Sequence, residues 1–143
     1  MKISQHITLL EATKSQTASR LGITNVPTDK ELECMRMVAQ HCFEPLRAWW
    51  GKPIGVSSFY RCKALNKAIG GAKFSQHIKG QAIDIDADIF SNGLTNKMIF
   101  EWLKDNVDFD QLIWEYGTSS EPAWVHVSYV EPTKNRNQIL YIG

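Results

Sequence analysis

Three cysteines in 143 residues, irregularly spaced, provide no disulfide framework. Cys34, Cys42 and Cys62 form no Cys-x-x-Cys pair, so neither a thiolate zinc cluster nor a redox pair is indicated, and all three read as small core residues. Long apolar runs are missing: nothing approaches the roughly 18 consecutive apolar residues of a membrane span. The opening Met1-Lys-Ile-Ser-Gln-His-Ile7 lacks the apolar stretch of a signal peptide. Charge of one sign is missing as well. The formal net charge is +1, and the basic residues are scattered rather than interleaved with aromatics, which argues against a nucleic-acid partner. No repeat and no low-complexity segment interrupts the chain. What is present is ordinary for a globular protein: 43% hydrophobic and 22% charged residues, in a chain long enough for one domain over residues 1–143 to bury a core.

Periodicity divides that domain. Residues 1–10 suggest a short strand, and Leu10 to Leu21 a short helix ended by Gly22. Thr28 or Asp29 can cap the longest helical pattern, which runs from Asp29 to about Trp50. Leu32, Met35, Val38, Cys42 and Leu46 mark its apolar face, and Pro45 predicts a kink or restart. His41 lies beside this face and reads as a packed residue rather than a ligand. A strand over Ile54–Tyr60 and a short helix over 62–69 follow. A third helix over Leu94–Asn106 has Thr95 as its candidate cap. The period then changes to two, giving strands over Gln111–Tyr116, Ala123–Val130 and, at the edge, Ile139–Ile142. Helices early and strands late predict an α+β fold, with a small antiparallel sheet packed against the N-terminal helices.

The stretch with the most chemistry is Ser75-Gln-His-Ile-Lys-Gly-Gln-Ala-Ile-Asp-Ile-Asp86. Alternation puts Ile83 and Ile85 on one face of a strand and Ala82, Asp84 and Asp86 on the other. In Trp124-Val-His-Val-Ser128, His126 shares a face with Trp124 and Ser128; in Gln111–Tyr116, Glu115 shares one with Gln111 and Ile113. If these strands are neighbours, Asp84, Glu115 and His126 look into one groove. A carboxylate on an otherwise apolar strand is expensive to bury alone, and a divalent cation would offset that cost. His77, Asp84 and His126 therefore make a candidate three-ligand site for one zinc ion, with the fourth position open as catalytic zinc requires. Asp86 and Asp88 read as outer or surface acids, and Ser75 as a local backbone hydrogen-bond partner.

Ser75-x-His77-x-x-Gly80-x-Ala82-x-Asp84 followed by Trp124-x-His126 resembles the zinc D-alanyl-D-alanine carboxypeptidase family. That family includes phage L-alanyl-D-glutamate endopeptidases and shares its catalytic fold with the hedgehog signalling domain. Ser57-Ser-Phe-Tyr-Arg61, Leu65-Asn66, Gly70-Gly-Ala72, Phe109-Asp-Gln-Leu-Ile113 and Asn25-x-Pro27 extend the resemblance over about residues 12–130.

The resemblance implies that His77, Asp84 and His126 bind zinc and that Glu115 is the general base. It implies that Arg61 binds substrate through a carboxylate or a carbonyl oxygen. Ala123 and Trp124 stand where several branches carry a catalytic acid or a further histidine, which leaves Glu115, with Glu121 as a weaker rival. The implied activity is hydrolysis of peptide bonds in bacterial peptidoglycan stems by a monomer, as endopeptidase or carboxypeptidase. Synthesis in the cytoplasm and phage-type release to the wall would suit the N-terminus. The alternative is a zinc-stabilised binding or structural module of the same fold that does not turn over.

Overall fold

The computed structural model describes residues 1–143 as an α+β domain. The chain opens with a small antiparallel hairpin, β1 (Lys2–Ser4) and β2 (Ile7–Thr8). The helix expected over 10–21 is two helices, α1 (Leu9–Thr13) and α2 (Gln16–Leu21). They divide because Lys14 is extended and the Ser15 side chain caps α2 by accepting from the Ala18 backbone N–H. Gly22 ends α2 in the left-handed conformation, φ 68°.

Thr28, rather than Asp29, caps α3 (Asp29–Val38), through a capping box with Glu31. The long helical pattern does not kink at Pro45. A π-helical segment, Ala39–Phe43, intervenes, and α4 (Glu44–Trp50) restarts with the proline in its first turn, where its missing N–H costs nothing. Met35, Val38, Cys42 and Leu46 nevertheless stay on one buried face. Cys34 and Cys62 do not join them: both are only half-buried, and Cys42 alone is a core residue. His41 stacks its ring on Tyr129, with centroids 4.4 Å apart.

The main sheet contains β3 (Gly55–Ser58), β4 (Ala82–Asp86), β5 (Gln111–Glu115), β6 (Trp124–Ser128) and β7 (Gln138–Ile142), in the order β3-β4-β6-β5-β7. Four strands pair antiparallel; β7 joins the edge parallel to β5, so the larger sheet is mixed. Between β3 and β4 lies α5 (Lys63–Ala68); between β4 and β5 lies α6 (Asn96–Asn106), capped by Thr95. One sheet face presents Ile83, Ile85, Leu112, Val125 and Val127, all fully buried. Helix α3 packs on β4, and α6 on β5 and β6. Burying each of these aliphatic side chains contributes about 1.5–3 kcal/mol, so this face helps to hold the helices on the sheet. The opposite face, carrying Asp84, His126, Ile113 and Glu115, is left for the cleft. No helix is long and apolar enough to cross a membrane.

Candidate metal centre and active site

Register brings the acid and the second histidine together. Asp84 on β4 is directly opposite His126 on β6, and His126 is in turn opposite Ile113 on β5. Glu115 lies one pleat further along the same face. His77 arrives from a 3₁₀ turn, Gln76–Lys79, whose start is fixed by Ser75 accepting from the His77 N–H at 3.2 Å. Gly80 ends that turn with φ 73°. A Cβ there would stand 2.5 Å from the Glu31 carbonyl oxygen, so the turn is held against α3 at a distance only glycine allows.

Asp84 Oδ1 is 3.2 Å from His77 Nε2 and 3.1 Å from His126 Nδ1. The three side chains are buried, and one donor atom from each lies within 4.8 Å of the others. His77 Nδ1 donates to the Phe59 carbonyl at 2.7 Å, which leaves Nε2 as the nitrogen facing the carboxylate. A neutral ring so oriented sets one lone pair against another, and a cation relieves that conflict. Two donors on a tetrahedral zinc, each at about 2.0–2.1 Å, are about 3.3 Å apart. The separations around Asp84 match that edge, so the residues fit a zinc ion. Burial works against the Asp84 charge; without a cation, positive charge on the imidazoles, His77 foremost, and hydrogen bonds from them hold its carboxyl well below the usual carboxylate range, the role a bound cation would take over.

Arg61 and Glu115 border this group. Arg61 donates from Nε to Ser58 Oγ at 3.0 Å, from Nη1 to Asn66 Oδ1 at 3.2 Å and from Nη2 to Asp84 Oδ2 at 3.4 Å. Glu115 Oε1 is 4.0 Å from His126 Nδ1. Burial, reinforced by the Asp84 charge, raises the Glu115 carboxyl above the ordinary glutamate value, while His126 and Arg61 pull it down. Burial also lowers the Arg61 guanidinium, against the pull of Asp84 and Glu115. All five side chains line one cleft of about 730 Å³.

The sequence profile of the family described as Peptidase M15 matches residues 5–128. The chain belongs to this peptidase family. No curated protein matches the sequence closely enough to add a named relative. The M15 match covers every residue of the candidate centre, from Arg61 to His126.

Other acids singled out in the sequence lie elsewhere in this M15 chain. Glu121 accepts from the Lys97 N–H at 3.1 Å, at the start of α6, and does not line the cleft. Asp86 Oδ1 accepts from the Asp88 N–H and from Asn96 Nδ2, which occupies it in a local turn; Asp88 is exposed.

Four residues support the site in roles that the sequence does not display, although Asn25, Asn66 and Asp110 lie in segments that carry the family resemblance. Asn25 donates to the Thr13 and Tyr60 carbonyls and accepts from the Cys62 N–H, so it clamps the chain on both sides of Arg61. Asn66, buried, links Arg61 to the Ala72 carbonyl. Asn96, also buried, donates to the Pro122 and Ala123 carbonyls and so fixes the approach to β6. Asp110 accepts from Gln76, the neighbour of His77, and from Arg136. Each role depends on partners more than five residues away, or on a loop with no period of its own.

Proposed function

We propose that this chain is a zinc metallopeptidase that hydrolyses peptide bonds in the stem peptides of bacterial peptidoglycan. The observation that carries the reading is the buried Asp84 carboxylate shared between two imidazoles at the floor of an open cleft, with Glu115 beside it. His77, Asp84 and His126 would hold the ion; when bound it supplies a Lewis acid that polarises a carbonyl and acidifies water.

The chain's own groups account for the rest. Glu115, half-buried and with its carboxyl raised, takes a proton from water in the cleft and returns it to the leaving amine. Arg61 uses three of its five N–H groups within the chain. The remaining two are free for a carbonyl oxygen as negative charge builds on it, and the three internal bonds hold the guanidinium in place beforehand. A second hollow of about 560 Å³ shares Arg61 and Ile69 with the cleft. Space for chain beyond Arg61 is what an endopeptidase would use and a carboxypeptidase would not need.

The test is a pair of measurements on the parent and Glu115→Gln: bound zinc, and release of new amino termini from purified bacterial walls. The expected result is one zinc per chain in both, with hydrolysis lost in the variant. Equal inertness of a zinc-loaded parent and the variant on every wall preparation would instead support a zinc-stabilised binding module.

A further inference from the structure

The cleft holds a second arginine, and its surroundings are built rather than incidental. Arg136 lies in the loop between β6 and β7, outside the ligand motifs, and lines the same cleft as the metal group. Its guanidinium is gripped along one edge. Nε donates to Asp110 Oδ1 at 2.9 Å and Nη2 to Asp110 Oδ2 at 2.7 Å, a two-bonded fork. The Arg136 backbone N–H adds a third bond, to Asp110 Oδ1 at 3.0 Å.

Asp110 is itself locked. Its side chain is 2% exposed, and Gln76 Nε2 donates to its Oδ2 at 2.9 Å. Gln76 directly precedes His77, so the turn that carries the histidine also orients the acid that orients Arg136. The outer half of the guanidinium is left over. Arg136 is 55% exposed, and Nη1 makes no hydrogen bond within the chain. A salt bridge meant only to pin the loop would not need to face the cleft. A fork held rigid on one side, with donors free on the other, is preorganised to receive a planar anion, because little side-chain entropy remains to be lost.

Arg61 is poorly placed for the same task. Its guanidinium is tied to Asp84, Asn66 and Ser58, and one of its bonds goes to a candidate metal ligand. The cleft has no third arginine and no lysine in its lining. We propose that Arg136 and Asp110 form a carboxylate-binding site for the substrate, separate from the metal group, in which the free edge of Arg136 takes a carboxylate of the bound peptide. The proposal takes its ligand class from the peptidase reading above: stem peptides carry several free carboxylates, and recognition of one would set which bond lies over the metal group.

The experiment uses full-length Glu115→Gln chain, which keeps peptide intact, and synthetic stem peptides in which each carboxylate is converted in turn to a carboxamide. Calorimetry gives Kd. One conversion should weaken binding at least about tenfold, as loss of a charge-assisted hydrogen bond does. In the Glu115→Gln, Arg136→Gln double variant, that same conversion should make no further difference. The parent and Arg136→Gln should show the matching pattern in KM. Arg136→Lys, which keeps the charge and loses the fork, guards against simple misfolding: it should restore part of the discrimination at an unchanged circular-dichroism spectrum.

If Arg136→Gln weakens every peptide equally, charged or amidated, Arg136 only pins its loop and the proposal is overturned. If carboxylate-selective binding is present but the parent cuts none of the peptides, the site stands and the peptidase reading falls. If the parent cuts all of them with no carboxylate preference, the peptidase reading stands and the carboxylate site does not.

Discussion

Asp84 and His126 face one another across the β4–β6 ladder, 42 residues apart in the chain and 3.1 Å apart at their polar atoms. Directly opposed residues on one sheet face are held at fixed separation by backbone hydrogen bonds, so two of the three candidate ligands are set by the sheet itself. His77 completes it from a turn whose geometry depends on Gly80.

Zinc should therefore bind a largely preformed site and stabilise the fold. A ligand present at 100 times its Kd adds about 2.7 kcal/mol, which is a rise of several degrees in Tm. His77→Ala and Asp84→Asn should each lose that increment. Differential scanning calorimetry with and without added zinc checks this; an equal rise in parent and variants would place the metal elsewhere.

Gly80→Ala should be destabilising out of proportion to one methyl group. The left-handed backbone alone costs about 1–3 kcal/mol for a residue with a side chain. The Cβ would also stand 2.9 Å from Met35 Cγ, so α3 and the ligand turn must separate. Denaturant unfolding gives the loss of stability, and zinc affinity should fall with it. A variant as stable as the parent would show that the turn tolerates another conformation.

Asn25→Ala should cost about 1–3 kcal/mol, because it leaves part-buried backbone groups of two segments without their partner. The effect should reach the chemistry, since Asn25 bonds both the Tyr60 carbonyl and the Cys62 N–H, on either side of Arg61. A fall in kcat beyond the loss of folded protein is the expected signature. Loss of stability with full kcat per folded molecule would confine Asn25 to a structural role.

The Arg136 pair should make stability depend on acid pH. Hydrogen bonds from Arg136 hold the Asp110 carboxyl below its usual value, against the effect of burial. A lowered folded-state value means the contribution is complete above the unfolded pKa of about 3.9 and is lost as pH falls through the folded value. Thermal melts of the parent should lose stability over that window, and Asp110→Asn should lack this component while being less stable near neutrality. Parallel curves for the two proteins would remove Asp110 from the acid transition.

Much of the candidate centre was legible because it obeys local rules. Period two separates Ile83 and Ile85 from Asp84, and Val125 and Val127 from His126, whatever the strands pair with. Thr28, Thr95 and Gly22 mark helix ends through contacts within a few residues. Other features escaped for equally definite reasons. Pro45 announced a disturbance, but the form it takes, a π-helical segment that leaves Cys42 and Leu46 both in the core, is not a property of the local pattern. The Lys14–Ser15 break was hidden because both flanking stretches have helical pattern and only Ser15 acting as a cap divides them.

The sequence by itself determined the residue types able to hold a cation, the strand faces they occupy and the α+β character, since side-chain alternation and capping are properties of adjacent residues. Tertiary structure alone decided which strands are neighbours, that β7 runs parallel at the edge, that Glu121 caps a helix while Glu115 stands by the histidines, and that Asp110 turns Arg136 toward the cleft. Those outcomes depend on register and on buried hydrogen bonds between distant segments, whose partners are chosen only when the whole core closes.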